Sequence, residues 1–395
     1  MQKKHSKETK KTKCELRPLH MKIVYILPSL GKMGGAERII AEKANYLTKH
    51  FGYNVYFINL FQDNCTPNLY LLSDSIHQIN LGIPYHIQYR YNYPKRLFIK
   101  LKILYDMRKK LSYHINLIDP NILIGVSYSQ ADLVCSIPCN AKKIIECHEP
   151  RSLILSNIYC GSFISKLYAK WIYIRRIEKK ADMIVTLTKE DKAQWEKAKR
   201  VEVIPNFSSM RISQYSTCNK KRVIAVGRLN KEKGFDRLIS IWESINAHYS
   251  DWQLDIFGDG ILKDQLTHFI NKNNVKNLSL RGATQNISIE YANSSICVIT
   301  SYFEGFTLVI IEAMKHGVPC VAFDCPNGPR NIIEDGKNGF LVEDGNSSLF
   351  IERLCSLMEN DHLRQQFSEA AKIRANDFNI DIIMGRWKAL FESFK

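Results

Sequence analysis

Short apolar runs alternate with helical stretches along almost the whole chain, and this alternation limits the possible folds more than any other feature. Residues 22–27 read Lys-Ile-Val-Tyr-Ile-Leu, a strand-length run, followed by a glycine-containing loop and a helical pattern over 36–49. Further strand-like runs stand at 55–60, at 122–126, from Ile144 and Ile145, and at 183–187. After Pro205-Asn206 a second series begins, with runs at 223–226, 254–257, 278–280, 296–300 and 318–323. Strands that alternate with helices pack as parallel sheets covered on both faces. A chain of 395 residues, 45% of them hydrophobic, can bury two cores. The expected fold is therefore α/β, two doubly wound domains that face each other across a cleft, because ligand sites in such sheets lie at the carboxyl ends of the strands. The expected divisions are a basic, disordered tail over 1–20, a first domain over 21–205, a second over 206–375, and a C-terminal helix over 376–395 that packs back toward the first domain.

The charge is unevenly placed. The formal net charge is +17. Residues 1–20 carry seven Lys and Arg against two Asp and Glu, and residues 21–210 carry 27 against 15, a surplus of +12. Residues 211–395 carry 22 of each sign. An acidic solvating protein is excluded, and an anionic surface is expected to face the first domain. The 11 cysteines form no C-x-x-C pair, which fits free thiols in a reducing cytosol better than zinc or disulfides. No run approaches the roughly 20 apolar residues of a spanning helix. The Lys-rich start lacks the apolar core of a secretory signal. Met21 directly precedes the first strand, so 1–20 reads as either a tail or a mis-set start.

Four constellations can carry chemistry. Gly31-Lys-Met-Gly34-Gly35-Ala-Glu37-Arg38 leaves the first strand and opens a helix, where backbone N–H groups meet an anion; the alternative is a plain tight turn. Gly227-Arg228-Leu-Asn-Lys-Glu-Lys233-Gly234 leaves the first strand of the second domain. Arg228 and Lys233 there can converge on one diphosphate, unless the loop is simply a solvated basic one. Glu304-Gly305-Phe306-Thr307 precedes a helix that carries Glu312. The helix start favours phosphate, and the two carboxylates, on the order of 10 Å apart, could straddle a diphosphate and hold sugar hydroxyls. His148 follows the strand of Ile144 and Ile145, which puts it at the cleft, although a lone His is more often packed or exposed. No D-x-D occurs, so a metal-free site is expected, with cations and helix-terminal N–H groups meeting the charge of a departing nucleotide. No cofactor is expected.

Taken together, Gly34-Gly35-Ala-Glu37-Arg38, Gly227-Arg228 with Lys233-Gly234, Gly258-Asp-Gly260 and the Glu304/Glu312 spacing resemble the retaining glycosyltransferases of family four, with the GT-B fold of two Rossmann-like domains. The resemblance covers nearly all of 21–395 and is closest to bacterial enzymes of polysaccharide and lipid-linked oligosaccharide assembly. It implies transfer of a hexose or N-acetylhexosamine from a nucleotide sugar, with UDP as the expected nucleotide. It implies that Arg228 and Lys233 hold the donor diphosphate, that Glu304 contacts the donor sugar and that Glu312 contacts the ribose. Gly305, Phe306 and Thr307 would line the donor site, and Gly34 and Gly35 would close over the phosphates. His148 would stand near the transferred sugar, and the loop at Arg281-Gly282-Ala283 would hold the base. On this reading His148, Arg228, Lys233 and Glu304 are the catalytic residues. The chain departs from the family in two places: Phe207 stands where a glycine commonly follows Asn206, and Cys147, not an acid, immediately precedes His148, with Glu146 displaced by one.

Residues 85–115 interleave Tyr85, Tyr89, Tyr91, Tyr93, Phe98 and Tyr105 with eight Lys and Arg, among them Arg90, Lys95, Arg96 and Lys100. On one helix this pattern suits an anionic membrane surface, with a solvated cationic face as the alternative. Lys166–Lys180, with Trp171, Arg175 and Arg176, forms a second such stretch. The expected setting is the cytoplasm, peripheral on the inner face of the cell membrane, with a glycan or polyprenyl-diphosphate-linked acceptor. Two rivals stand beside this reading. A nucleotide-sugar epimerase or hydrolase of the same architecture would need a base or water on the sugar. A basic nucleic-acid-binding protein would want its charge along a reading surface, whereas the best anion loops lie in the neutral half.

Overall fold

The computed structural model describes residues 21–31, 34–92, 94–126, 128–152 and 174–394. The tail 1–20 and most of the second basic stretch, including Trp171, lie outside them. The first sheet holds seven strands, β1 (Lys22–Leu27), β2 (Asn54–Asn59), β3 (His77–Asn80), β4 (Ile122–Gly125), β5 (Lys142–Glu146), β6 (Met183–Thr186) and β7 (Val201–Val203), in the order β3-β2-β1-β4-β5-β6-β7. The second holds β8 (Arg222–Val226), β9 (Gln253–Phe257), β10 (Leu278–Gly282), β11 (Ile296–Ile299), β12 (Cys320–Asp324) and β13 (Gly339–Glu343), in the order β10-β9-β8-β11-β12-β13. Every pairing is parallel. This is the GT-B arrangement.

The composition of β1 explains its central place. Ile23, Tyr25 and Leu27 enter one core cluster, while Val24 and Ile26 enter the cluster on the opposite face. A strand covered on both faces must be apolar at successive positions, which is what the run 22–27 provides. The helix Gly35–Phe51 then buries Ile39, Ile40, Ala44 and Leu47 against the first of these clusters and ends at Gly52 in the left-handed conformation. Strands β3, β7 and β13 carry no signal in the alternation. The first two are short and only partly buried, and β3 (His-Gln-Ile-Asn) is an edge strand with polar side chains.

One sequence expectation needs correction. Residues 85–115 are not a single helix: Tyr85–Arg90 form a 3-10 turn, and the long helix runs Lys95–Ile118 behind Pro94. Proline tolerates a helix start but supplies no N–H to continue one from upstream, so the two pieces separate there. Arg90 therefore sits on the turn and Lys95, Arg96 and Lys100 on the helix. Two cation–π contacts tie the pieces together: the Arg96 guanidinium lies 4.5 Å from the Tyr89 ring, and Lys95 Nζ lies 4.8 Å from that of Tyr91.

The chain crosses between the two domains twice. The first crossing, after β7, places Phe207 in the first core, so the departure from the family pattern at this residue is a buried plug. The second crossing follows the helix Asp361–Ala375. Beyond it the helix Ile380–Glu392 buries Ile383, Met384, Trp387, Leu390 and Phe391 in the core of the first domain. The crossings touch, with Ser208 N donating to the Phe378 carbonyl. Phe391→Ala removes a wholly buried ring from the first core and should cost about 3–5 kcal/mol. Urea denaturation followed by a first-domain probe should show the loss, although residue 391 follows the second domain in sequence.

Candidate active site

The segments that follow β1 and β5 meet the loop and helix that follow β11 across the gap between the domains, at Gly35 with Leu308, Arg38 with Glu312 and His148 with Gly305. On the second-domain side the loops after β8 and β9 stack backbone on backbone. Gly227 N donates to Phe257 O and Leu229 N to Asp259 O. A Cβ on Gly258, whose φ is +145°, would lie 1.8 Å from the Gly227 carbonyl oxygen, and one on Gly260 2.4 Å from that of Leu229. Gly258-Asp-Gly260 thus shapes the loop that carries Arg228, which is exposed, and Lys233, which ends a short 3-10 turn. Lys233 Nζ donates to Glu304 Oε1 at 2.6 Å, and the same oxygen accepts from Ser301 Oγ at 2.6 Å. Glu304 is 7% exposed, so Lys233 partly neutralises a largely desolvated carboxylate.

Glu304-Gly305-Phe306-Thr307 leads into the helix Leu308–Lys315, which begins one residue after Thr307. Thr307 Oγ1 is buried and has no hydrogen-bond partner. A buried hydroxyl without a partner at a helix start is a place that an anionic oxygen can fill. Four residues into that helix and a further turn along its axis from this start, Glu312 is 5% exposed and reaches the opposite domain: Arg38 Nη2 donates to its Oε1 at 2.6 Å. Burial works against the Arg38 charge, yet Glu312 more than compensates and raises the guanidinium above its ordinary range.

From the first domain, Gly34 precedes the first helix and exchanges two hydrogen bonds with Tyr70, whose hydroxyl accepts from Gly34 N and donates to its carbonyl. Gly35 approaches Leu308 across the gap, with 3.9 Å between a Cβ placed there and Leu308 Cδ1. His148 lies two residues beyond β5 with Nε2 3.1 Å from Glu146 Oε1. Its backbone comes closer across the gap than Leu308 does to Gly35, since a Cβ on Gly305 would stand 2.5 Å from the His148 carbonyl oxygen.

Arg281 and Gly282 are placed differently from expectation. Strand β10 continues to Gly282 across a register shift, and Gly258 N donates to the Gly282 carbonyl, so the loop begins only at Ala283. Arg281 Nε donates to Asp255 Oδ1 at 2.8 Å, and Arg222 holds the other oxygen of that carboxylate. The guanidinium is thereby drawn into an ion-pair network on the sheet. The sequence reading gave no role to Lys43, Arg38 or Tyr70. Arg38 stood inside a noted motif. Lys43 could have been noticed as a charge inside the apolar stripe of Ile39, Ile40, Ala44 and Leu47. Tyr70 carries no local signal.

Two parallel-sheet domains with such a cleft make up the GT-B fold. The fold is shared with sucrose-phosphate synthase of Thermosynechococcus elongatus, at a TM-score of 0.77 and 16% identity over 95% of this chain and 99% of that one. It is also shared with HepE of Anabaena in complex with UDP and glucose, at a TM-score of 0.71 and 18% identity over 95% and 100%. An uncharacterized glycosyltransferase of Haemophilus influenzae is 29% identical, covering 93% of this chain and 99% of its own length. The N-acetylgalactosamine-N,N'-diacetylbacillosaminyl-diphospho-undecaprenol 4-alpha-N-acetylgalactosaminyltransferase of Campylobacter jejuni is 27% identical over 91% and 96%. Residues 210–374 match the family described as glycosyl transferases group 1.

The contact between Gly305 and His148 yields a test. Gly305→Ala must push the two loops apart, and displacement on the order of 1 Å costs a reacting pair about a hundredfold. Steady-state assays should show kcat/KM reduced by about that factor, with the thermal midpoint of either domain little changed.

Proposed function

We propose that the protein is a retaining glycosyltransferase that moves a hexose or N-acetylhexosamine from a UDP-sugar to a glycan or polyprenyl-diphosphate-linked acceptor during assembly of a bacterial surface polysaccharide. The observation that carries the reading is the Lys233–Glu304 pair at the start of the Glu312 helix, directly opposite His148. A cation, two carboxylates and an unpartnered Thr307 hydroxyl gathered at strand exits suit a nucleoside diphosphate joined to a polyhydroxylated sugar. UDP as the nucleotide is supported by the GT-B neighbour in complex with UDP and glucose. The lipid-linked acceptor is supported by the Campylobacter relative, whose name specifies a diphospho-undecaprenol substrate.

In the mechanism that follows, the acceptor hydroxyl attacks the anomeric carbon on the face the phosphate leaves. The bond from that carbon to the phosphate oxygen breaks as the new glycosidic bond forms, and the hydroxyl proton passes to the departing phosphate. Arg228 and Lys233 offset the charge that develops on the diphosphate. On donor entry the phosphates take up the Lys233 ammonium while Glu304 turns to sugar hydroxyls. Glu312 exchanges part of its bond with Arg38 for the ribose. The reading takes the reaction as metal-independent, on the ground that the sequence holds no D-x-D.

Association with an anionic membrane is supported by the helix Lys95–Ile118. Its C-terminal half buries Met107, Leu111, Ile115 and Ile118, but Leu97, Phe98, Leu101 and Tyr105 of its N-terminal half are exposed. At 3.6 residues per turn those four fall within about 100° of arc, with Lys95, Lys102 and Lys109 along one border. An apolar stripe edged by lysines is the pattern of an interfacial helix. No helix among the described residues is long and apolar enough to cross a membrane.

Lys233→Ala and Arg228→Ala should each lower turnover about a hundredfold or more, and EDTA should leave the parent rate unchanged. A fully active Lys233→Ala, or EDTA inhibition relieved by Mn²⁺, would contradict the cationic, metal-free site. In liposome flotation, binding should require anionic lipid, weaken as salt rises, and fall sharply when Arg90, Lys95, Arg96 and Lys100 are changed to Ser. Equal binding to zwitterionic vesicles would leave the basic stretch as a solvated face.

A further inference from the structure

Behind the first-domain wall of the cleft lie two buried charges that sugar binding does not require. Lys43, on the inner face of the first helix, is 0% exposed, and Glu146, the last residue of β5, is 2% exposed. Lys43 Nζ donates to Glu146 Oε2, and the other carboxylate oxygen faces His148 Nε2. The ammonium also lies 3.8 Å from the Trp387 ring centroid, which the C-terminal helix supplies, and 5.3 Å from that of Tyr25. A buried ion pair is at best a weak source of stability compared with apolar residues of the same volume. The neighbours of Lys43 on the stripe are Ile39, Ile40, Ala44 and Leu47, so packing alone would favour another aliphatic side chain.

The chemistry of the three groups supplies a reason for the pair. Burial pushes the Glu146 carboxyl up, but the Lys43 charge, with His148 beside it, outweighs burial and holds it at about 2. An ionised carboxylate only accepts hydrogen bonds, so its approach to 3.1 Å favours hydrogen on Nε2, the imidazole nitrogen that faces it. Both ring nitrogens are buried and neither completes a hydrogen bond within the protein, Nε2 lying 3.1 Å from the carboxylate but poorly aligned with it; with hydrogen on Nε2, the lone pair falls on Nδ1. A buried acceptor left in this state is unfavourable until a donor arrives.

We infer that Lys43 is a positioning residue for sugar transfer: through Glu146 it fixes the His148 imidazole with its hydrogen on Nε2, leaving Nδ1 to accept a hydrogen bond from a hydroxyl of the donor sugar. The inference rests on the reading above that His148 stands beside that sugar. Lys43 itself touches neither substrate nor reacting atoms, and Trp387 seals it from water.

The test uses the full chain and, as probe, whichever of UDP-glucose, UDP-galactose, UDP-N-acetylglucosamine and UDP-N-acetylgalactosamine is turned over fastest. Lys43→Met should lower kcat about tenfold or more while the donor KM stays within about threefold. Ring-¹⁵N spectra of histidine-labelled protein, assigned by loss of one set of signals in His148→Ala, should show hydrogen on Nε2 in the parent and a different protonation pattern in Lys43→Met. Unchanged kcat, or a loss of activity that only follows a reduced folded fraction with the ring signals unmoved, would overturn the inference. So would hydrogen on Nδ1 in the parent, a result that needs no folded variant. An impaired His148→Ala beside an unaffected Lys43→Met removes the role of Lys43 alone. A fully active His148→Ala removes the reading of His148, and this inference with it.

Discussion

Between the carbonyl of His148 and the α-carbon of Gly305 there is no space for even a methyl group, and much of the cleft is organised by that approach. It brings the exit of β5 against the loop that opens the Glu312 helix, so the walls of the site are backbone atoms fixed by two sheets. Gly35 also faces the opposite domain, against the Leu308 side chain, but there a methyl group would fit in ordinary contact. Parallel sheets make this possible because all their strands end on the same edge, and two such edges facing each other give a narrow slot lined by loops. Side chains that perform chemistry can then be few, since geometry is set before any of them is placed.

Within that slot the charges are already matched. Lys233 is held by Glu304, and Glu312 by Arg38, so neither buried carboxylate stands alone. A ligand that carries both an anion and hydroxyl groups can replace these partners one for one. The phosphate takes the cation, and the hydroxyls take the carboxylates. An inorganic anion could satisfy only the first exchange. The same pairing links the domains, because Arg38 and Glu312 belong to opposite ones, and the state of the Glu312 carboxylate is thus mechanically tied to the width of the slot.

The central strands were legible in the sequence because strands buried on both faces must be apolar at successive positions, and residues 22–27 announce that plainly. The edge strand His77–Asn80 was not, since it meets water on one side and needs no such run. The loops of Arg228, Lys233 and Glu304 could be read because glycine and charge at a strand exit have few other uses. Pairings across domains were invisible: Arg38 and Glu312 stand 274 positions apart and no local pattern joins them. Lys43 was overlooked for a related reason, as a charge inside an apolar stripe reads as an exception until its partner on β5 is known. The stretch 85–115 was read as one helix because its composition is uniform, while a single proline governs its backbone.

The return of the C-terminal helix to the first core has a consequence for how the molecule comes into being. Domains of a growing polypeptide ordinarily fold in the order they leave the ribosome. Here the first domain emerges early but lacks Trp387 and Phe391, which fill its own interior, until the whole of the second domain has been made. The second domain, whose core draws on residues 187–378, is complete sooner. The half of the enzyme made first is therefore the half finished last. Until then its nascent form carries an open apolar trough along the first helix, with the Lys43 ammonium still reachable by water.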